Sequence, residues 1–301
     1  MSRTTLTPLH ALLALAVVAV WGTNFVVIRV GLDHLPPLTF AALRFTFAFL
    51  PAAFFLRRPA VPWRNLAAYG VLIGVGQFGL LFIAMRGLIS PGLASLVVQM
   101  QVFFTIGLSM LLTGERVRGY QLVALALAAA GLGWLMIHAN AEVRPLGLAL
   151  VLAAALAWAG GNTVARAAGP VNMLAYVVWA SLFSFPPLIA LAILVDGWPA
   201  VASGIANATP ATWAVVLWQS VGNTLFGYVA WAWLLARYPA AVISPLSLLV
   251  PVFGMGASAV ILHEPLSSWK LTAALLLLSG LALNTLWPML QRRRAAAQPA
   301  E

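Results

Sequence analysis

The chain has 301 residues, of which 63% are hydrophobic and only 7% charged, with a net charge of +10. A soluble domain carries about 25% charged residues to coat its surface, so this composition excludes a cytosolic enzyme, a secreted domain and a disordered tail. Lipid must be the solvent for most of the surface, and the absence of cysteine removes disulfides, zinc–thiolate clusters and thiol nucleophiles.

Crossing the hydrocarbon takes about 20 apolar residues in a helix. The long unbroken apolar runs are helical rather than the alternating pattern of a barrel. They predict ten spans, with nine as the main alternative, near 9–31, 37–56, 65–86, 91–112, 119–138, 145–166, 173–195, 211–236, 240–262 and 269–290. Breakers mark the junctions: Pro36-Pro37, Pro59 to Arg64, Ser90-Pro91-Gly92, Gly114 to Gly119, Gly169-Pro170, Pro210 and Pro239. The first span reads as an uncleaved helix rather than a signal peptide, because its apolar run continues through Trp21 to Gly31. After Leu290 comes a short basic stop, Arg292-Arg293-Arg294, followed by an Ala-rich stretch.

With the N-terminus in the cytoplasm, the inside segments hold 11 basic residues: Arg3, Arg57, Arg58, Arg64, Arg116, Arg118, Arg166, Arg237 and Arg292 to Arg294. The outside ends hold four, Arg29, Arg86, Arg144 and Lys270, and Arg44 lies within a span. The positive-inside rule then puts both termini in the cytoplasm. The net charge is thereby explained as an orientation signal, with no nucleic acid or other polyanionic partner implied.

The two halves, 1–141 and 142–301, match weakly. Trp21 and Arg29 correspond to Trp158 and Arg166 at an offset of 137, and Pro51 to Pro186 at 135. Pro91 corresponds to Pro239 at 148; Ser95, Glu115 and Gly131 correspond to Ser244, Glu264 and Gly280 at 149. Five spans per half is an odd number, so the second half crosses in the opposite sense. The expected fold is an all-α polytopic membrane protein with ten transmembrane helices as a 5+5 inverted repeat, an architecture of secondary transporters.

Several motifs carry a resemblance: Trp21-Gly-Thr-Asn24, Leu43-Arg44-Phe45, Gly114-Glu115-Arg116, Pro251-Val-Phe253 and His263-Glu264-Pro265. As an ordered set across both halves they resemble the EamA branch of the drug/metabolite transporter superfamily, with the flavour of the bacterial aromatic amino-acid exporters. The resemblance implies ten helices, a 5+5 inverted repeat, and export of amino acids or related small metabolites across a bacterial inner membrane. The second half departs from the first at Arg44, whose counterpart by offset is Trp179.

Polar side chains deep in spans should face a cavity or another helix. Trp21 and Asn24 share a helical face, as do Trp158 and Asn162, and the two faces sit at corresponding places in the halves. Gln77, Gln99, Trp179, Asn223 and Ser244 complete the expected substrate cavity. Of Gln99 and Gln101, two apart and so nearly opposed on a helix, Gln99 is preferred because it shares a face with Ser95. The competing role for every amide is interhelical glue. Trp63, Trp198, Trp213, Trp269 and Trp287 lie near span ends and read as interface belt. Arg44 is expected to pair with carbonyls or an amide, in a structural role. Pro51, Pro186, Pro245 and Pro251 are candidate bending points or static kinks. The fifth and tenth spans are nearly free of polar groups and are expected outside the cavity, against lipid or a second protomer.

No acid or histidine lies midspan; Asp33, Glu115, Glu142, Asp196, Glu264 and all four histidines sit at or beyond span ends. That removes the usual proton relay. No phosphate loop, metal cluster or cofactor motif is present. The expectation is a facilitator for a small neutral or zwitterionic substrate with an apolar body. Alternatives are a multidrug or nucleotide-sugar carrier of the same superfamily, the latter needing more cations around its phosphates. An intramembrane enzyme would need a catalytic pair at depth, and none is found.

Overall fold

A computed structural model describes residues 6–113, 118–138 and 143–297. The described residues are helical, with no strand beyond an isolated bridge between Ile89 and Val143. In chain order the helices are α1 (Pro8–Gly31), α2 (Pro37–Ala53), α3 (Trp63–Met85), α4 (Pro91–Leu112), α5 (Gly119–Ile137) and α6 (Pro145–Ala167). They continue with α7 (Met173–Val195), α8 (Trp198–Ala206), α9 (Pro210–Arg237), α10 (Ser244–Ile261) and α11 (Ser268–Gln291). Eight of these are long and apolar enough to cross a bilayer singly. With α9 and the 17-residue α2 they account for the ten spans expected. The loop expected after the seventh span contains α8, bent 104° from α9, so the eighth to tenth spans are α9 to α11.

The helix starts are written in the sequence. Thr7, Asn172 and Thr209 cap α1, α7 and α9 by accepting backbone N–H groups of the first turn. Pro8, Pro37, Pro91, Pro145 and Pro210 stand where a missing N–H costs nothing.

Packing between the halves is reciprocal. The first span lies against the eighth and ninth (α9, α10), while the sixth (α6) lies against the third and fourth. The second packs on the seventh, and α5 on α11. Water-driven burial offers little between helices in lipid, so close approach through small residues does the work. A Cβ on Gly22 would meet Phe253 Cβ and Val250 O at 2.5 Å, which fixes the crossing of α1 and α10. A Cβ on Gly280 would meet Ala124 O at 2.5 Å, at the crossing of α5 and α11. The fifth and tenth spans thus cover one another.

Among the described residues five interruptions break the regular helices, four of them in corresponding spans. Leu72–Gly79 of α3 and Trp218–Phe226 of α9 are π-helical. Val98–Met100 of α4 and Ser244–Leu249 at the start of α10 are 3-10 turns. Within the π segments, Val75-Gly76-Gln77 lines up with Val221-Gly222-Asn223 at an offset of 146. Proline accounts for part of this. Pro245 lies in the 3-10 turn and Pro251 stands in the first turn of the regular helix after it. Pro186 follows a turn that breaks α7 after Ser181. Pro51 is in the last turn of α2, where a kink bends little chain. Glu115 and the Gly114-Glu115-Arg116 motif lie outside the described residues.

Candidate functional site

A cavity of about 350 Å³ lies between the halves, within the range of small-molecule sites. Its wall includes Trp21 and Asn24 of α1, Gln77 of α3, Gln99 and Gln101 of α4, and Trp158 and Asn162 of α6. From the second half come Asn223 and Tyr228 of α9 and Ser244 of α10. Eight of the nine residues expected to line the cavity therefore meet in one place. Trp179 does not. Its indole N–H donates to Leu56 O (2.9 Å) and its ring packs against Phe49 and Trp63, beyond the end of α2.

The amides divide by their partners. Asn162 Nδ2 donates to Gln101 Oε1 (3.0 Å), tying α6 to α4. Gln219 Nε2 donates to Asn24 Oδ1 (2.7 Å), tying α9 to α1. These bonds act as glue, though each amide retains further capacity. Gln77, Gln99 and Asn223 have no side-chain partner among the described residues while lining the cavity. Amides left open toward a cavity are groups a ligand can satisfy, since a polar group in a dry wall is costly without a partner.

Gln101 lines the cavity together with Gln99, although helical spacing favours Gln99. The 3-10 turn at Val98–Met100 has about three residues per turn, which swings the two side chains closer together than α-geometry allows. The π segments act similarly at Gln77 and Asn223. A wider turn shifts the register of everything after it, and such segments recur at functional sites. Thr224 Oγ1 reinforces the second by donating to Gln219 O five residues back (2.9 Å).

Arg44 is 1% exposed and lines the same cavity. Its Nη1 donates to Gln219 Oε1 (2.7 Å), its Nη2 to Thr224 Oγ1 (3.1 Å), and its guanidinium lies 3.7 Å from the Phe78 ring centroid. The amide partner matches the structural expectation; the place in the cavity wall was not foreseen. Three aromatic residues stand together: Trp21 with Tyr228 (6.2 Å between centroids) and with Trp231 (5.2 Å). The Trp21 indole N–H donates to Asn223 O (3.3 Å), and Gly227 faces the same nitrogen so closely that a side chain would displace it. Tyr228 and Trp231 were missed because an aromatic in an apolar run looks like belt or core. Their spacing from Asn223 along α9 was the available signal. The fifth span contributes nothing to the cavity, whereas the tenth contributes Leu281 and Thr285.

Beyond the cavity, at the opposite end of α10, is a second buried polar cluster. Lys270 Nζ donates to Glu264 Oε1 (3.1 Å) and Pro265 O (2.9 Å). The Glu264 carboxylate also accepts from Ser90 Oγ and from Gly92 N–H (3.3 Å) in the first turn of α4. It thus occupies the positive end of that helix. His263, in the left-handed region at φ 55°, turns the chain there, and Glu264 N–H bonds back to Ser258 O (3.2 Å).

The EamA-like transporter family model matches residues 9–137 and 145–286. The chain is 40% identical over 279 residues to a probable amino-acid metabolite efflux pump of Salmonella typhimurium, covering 90% of this chain and 93% of that one. It is 27% identical over 303 residues to a probable terminal-alkyne amino-acid exporter of Streptantibioticus cattleyicolor, covering 94% and 95%. A solved crystal structure at 21% identity covers 95% of this chain and 97% of its own, with a TM-score of 0.63, and shares the fold. The chain is thus a membrane transporter rather than an enzyme: it belongs to the EamA-like transporter family.

Proposed function

We propose that this protein exports neutral amino acids with aromatic or large aliphatic side chains, or related small metabolites, from a bacterial cytoplasm by alternating access of two inverted five-helix halves. The observation that carries this reading is the cavity between the halves, walled by open amides and indoles. The reciprocal packing of spans 1 with 8 and 9, and 6 with 3 and 4, supports a two-fold relation, as do the paired π and 3-10 segments. One relative named a probable amino-acid metabolite efflux pump and another named a probable terminal-alkyne amino-acid exporter support the substrate class. A single charged lining residue among the described residues suits an amino acid better than a nucleotide sugar with its phosphates.

The cavity lies toward the end of the bundle where α1 begins. Ser244 and Met173 start their helices there, and Thr285, Asn162 and Trp231 lie near helix ends that alternate to the same side. With both termini cytoplasmic, as the distribution of arginines argues, this is the inward-facing arrangement. The Glu264–Lys270–Ser90 cluster then closes the outer end. No acid lines the cavity among the described residues, so transport runs down the substrate's own gradient. Pro186, Pro245 and Pro251 mark where the helices bend.

Reconstituted protein should release labelled phenylalanine or leucine from liposomes without a pH or sodium gradient. Replacing Trp158 and Asn162 together by Ala should slow that release about tenfold, the loss of contacts worth roughly 1.4 kcal/mol, with the protein still folded by size exclusion. Undiminished flux in the double variant would remove these residues from the site. Strict dependence on an ion gradient would remove the facilitator.

A further inference from the structure

The cavity contains one charge and no counter-charge. Arg44 is the only charged side chain lining it among the described residues. A guanidinium has five N–H donors; two here go to the neutral acceptors Gln219 Oε1 and Thr224 Oγ1, and Nε has no partner. The three acids described lie with other cations: Asp33 with Arg29, Asp196 with Arg86, and Glu264 with Lys270. A cation withdrawn from water without an anion is among the costliest groups a membrane protein can hold. The Phe78 ring holds the guanidinium plane, and the fork of a guanidinium matches the two oxygens of a carboxylate. An ammonium, by contrast, meets no carboxylate in this wall among the described residues.

We infer that the cavity recognises its substrate by the carboxylate, with Arg44 as the anchor, and that the substrate's amino group is dispensable. This rests on the central cavity being the transport site. The substrate class is monocarboxylates with an apolar body, of which α-amino acids are the zwitterionic members. Amines without a carboxylate are rejected. Trp21, Tyr228 and Trp231 offer the aromatic wall for the apolar body. A deaminated substrate leaves as an anion, so an inside-negative potential favours its export by about 50-fold per 100 mV, while a zwitterion feels no such bias.

The test uses the full-length protein in liposomes, with labelled phenylalanine and labelled 3-phenylpropionate measured above the leak of protein-free vesicles. Unlabelled phenylalanine, 3-phenylpropionate, phenylalanine methyl ester and phenethylamine serve as competitors. The two carboxylates should compete within about tenfold of each other, and the ester and the amine at least about tenfold more weakly. Arg44→Lys keeps the charge without the fork and should raise KM more than it lowers kcat. Arg44→Gln should erase the difference between acid and amine. The ligand panel on the unaltered protein decides the matter even if these variants fold poorly, because a merely structural Arg44 confers no such selectivity. Equal competition by amine or ester overturns the anchor and leaves the amino-acid exporter standing. Movement of 3-phenylpropionate without phenylalanine supports the anchor and overturns the amino-acid reading. No movement or competition by any of the four overturns both.

Discussion

Two cations are buried to the same extent in this protein and are treated in opposite ways. Arg44 and Lys270 are each 1% exposed. Lys270 has a carboxylate at 3.1 Å, and that carboxylate is itself held by Ser90 and the first turn of α4. Among the described residues Arg44 meets an amide, a hydroxyl and two aromatic rings, and no carboxylate. The first arrangement pairs charge with charge and joins the end of α10 to the start of α4, so it holds two helices together. The second leaves a charge in a cavity wall, the arrangement that the inferred carboxylate of the substrate would complete. Burial alone does not distinguish a structural charge from a functional one; the identity of the partners does.

The largest effect should come from breaking the charge pair. Lys270→Met leaves Glu264 buried with its cation gone, which costs about 3–5 kcal/mol for a desolvated pair. The double variant Lys270→Met with Glu264→Gln should recover part of that stability, since the Glu264 carboxylate is no longer left charged beside a missing lysine. Thermal denaturation in detergent would check both. A small loss in the single variant would mean that water reaches the cluster and that it is not a lock. If the cluster closes the outer end, the double variant should also raise the flux, because the outward opening no longer breaks an ion pair.

A smaller effect is expected at the neutral partners of Arg44. Gln219 is fully buried, bridges Arg44 to Asn24, and lies behind the cavity wall. Gln219→Leu strips a donor and an acceptor of their partner and should cost about 1–3 kcal/mol. Its kinetic signature should be a raised KM for the transported acid, because the guanidinium loses the bond that aims it. An unchanged KM at reduced stability would show that Gln219 only ties α9 to α1.

The contrast also explains what could be read from the sequence. The spans were legible because hydrocarbon thickness and proline placement set them, and α2 stops within three residues of the expected end. The facing pairs Trp21/Asn24 and Trp158/Asn162 were legible from helical spacing. Trp179 was misplaced because depth in a span was read without register. The π segment of α9 and the 3-10 turn of α4 change register locally, and neither has a clear signature beyond a polar side chain in an apolar run. That is why Gln101 was set aside. Lys270 looked like an ordinary outer-end charge. Its burial depends on Glu264 and on Ser90, 180 residues earlier, a contact that no local pattern encodes.

The smallest effect tests a third ion pair, intermediate between the two. Asp196 at the end of α7 faces Arg86 at 3.9 Å, too far for a hydrogen bond, and its Oδ2 is buried with no hydrogen-bond partner. Burial raises its carboxyl above the ordinary value of 3.8, and Arg86 only partly counters this. A carboxyl whose value is raised by folding stabilises the fold fully below the ordinary carboxylate range, and the benefit is lost as pH rises through the raised value. Asp196→Asn should therefore be slightly more stable than the unaltered protein at pH 7 to 8, with the difference shrinking as pH falls toward 4. Melting temperatures across that range would check it. A loss of stability at neutral pH would mean that Arg86 compensates the carboxylate as Lys270 compensates Glu264, and that distance is a poorer guide than charge to which pairs hold helices together.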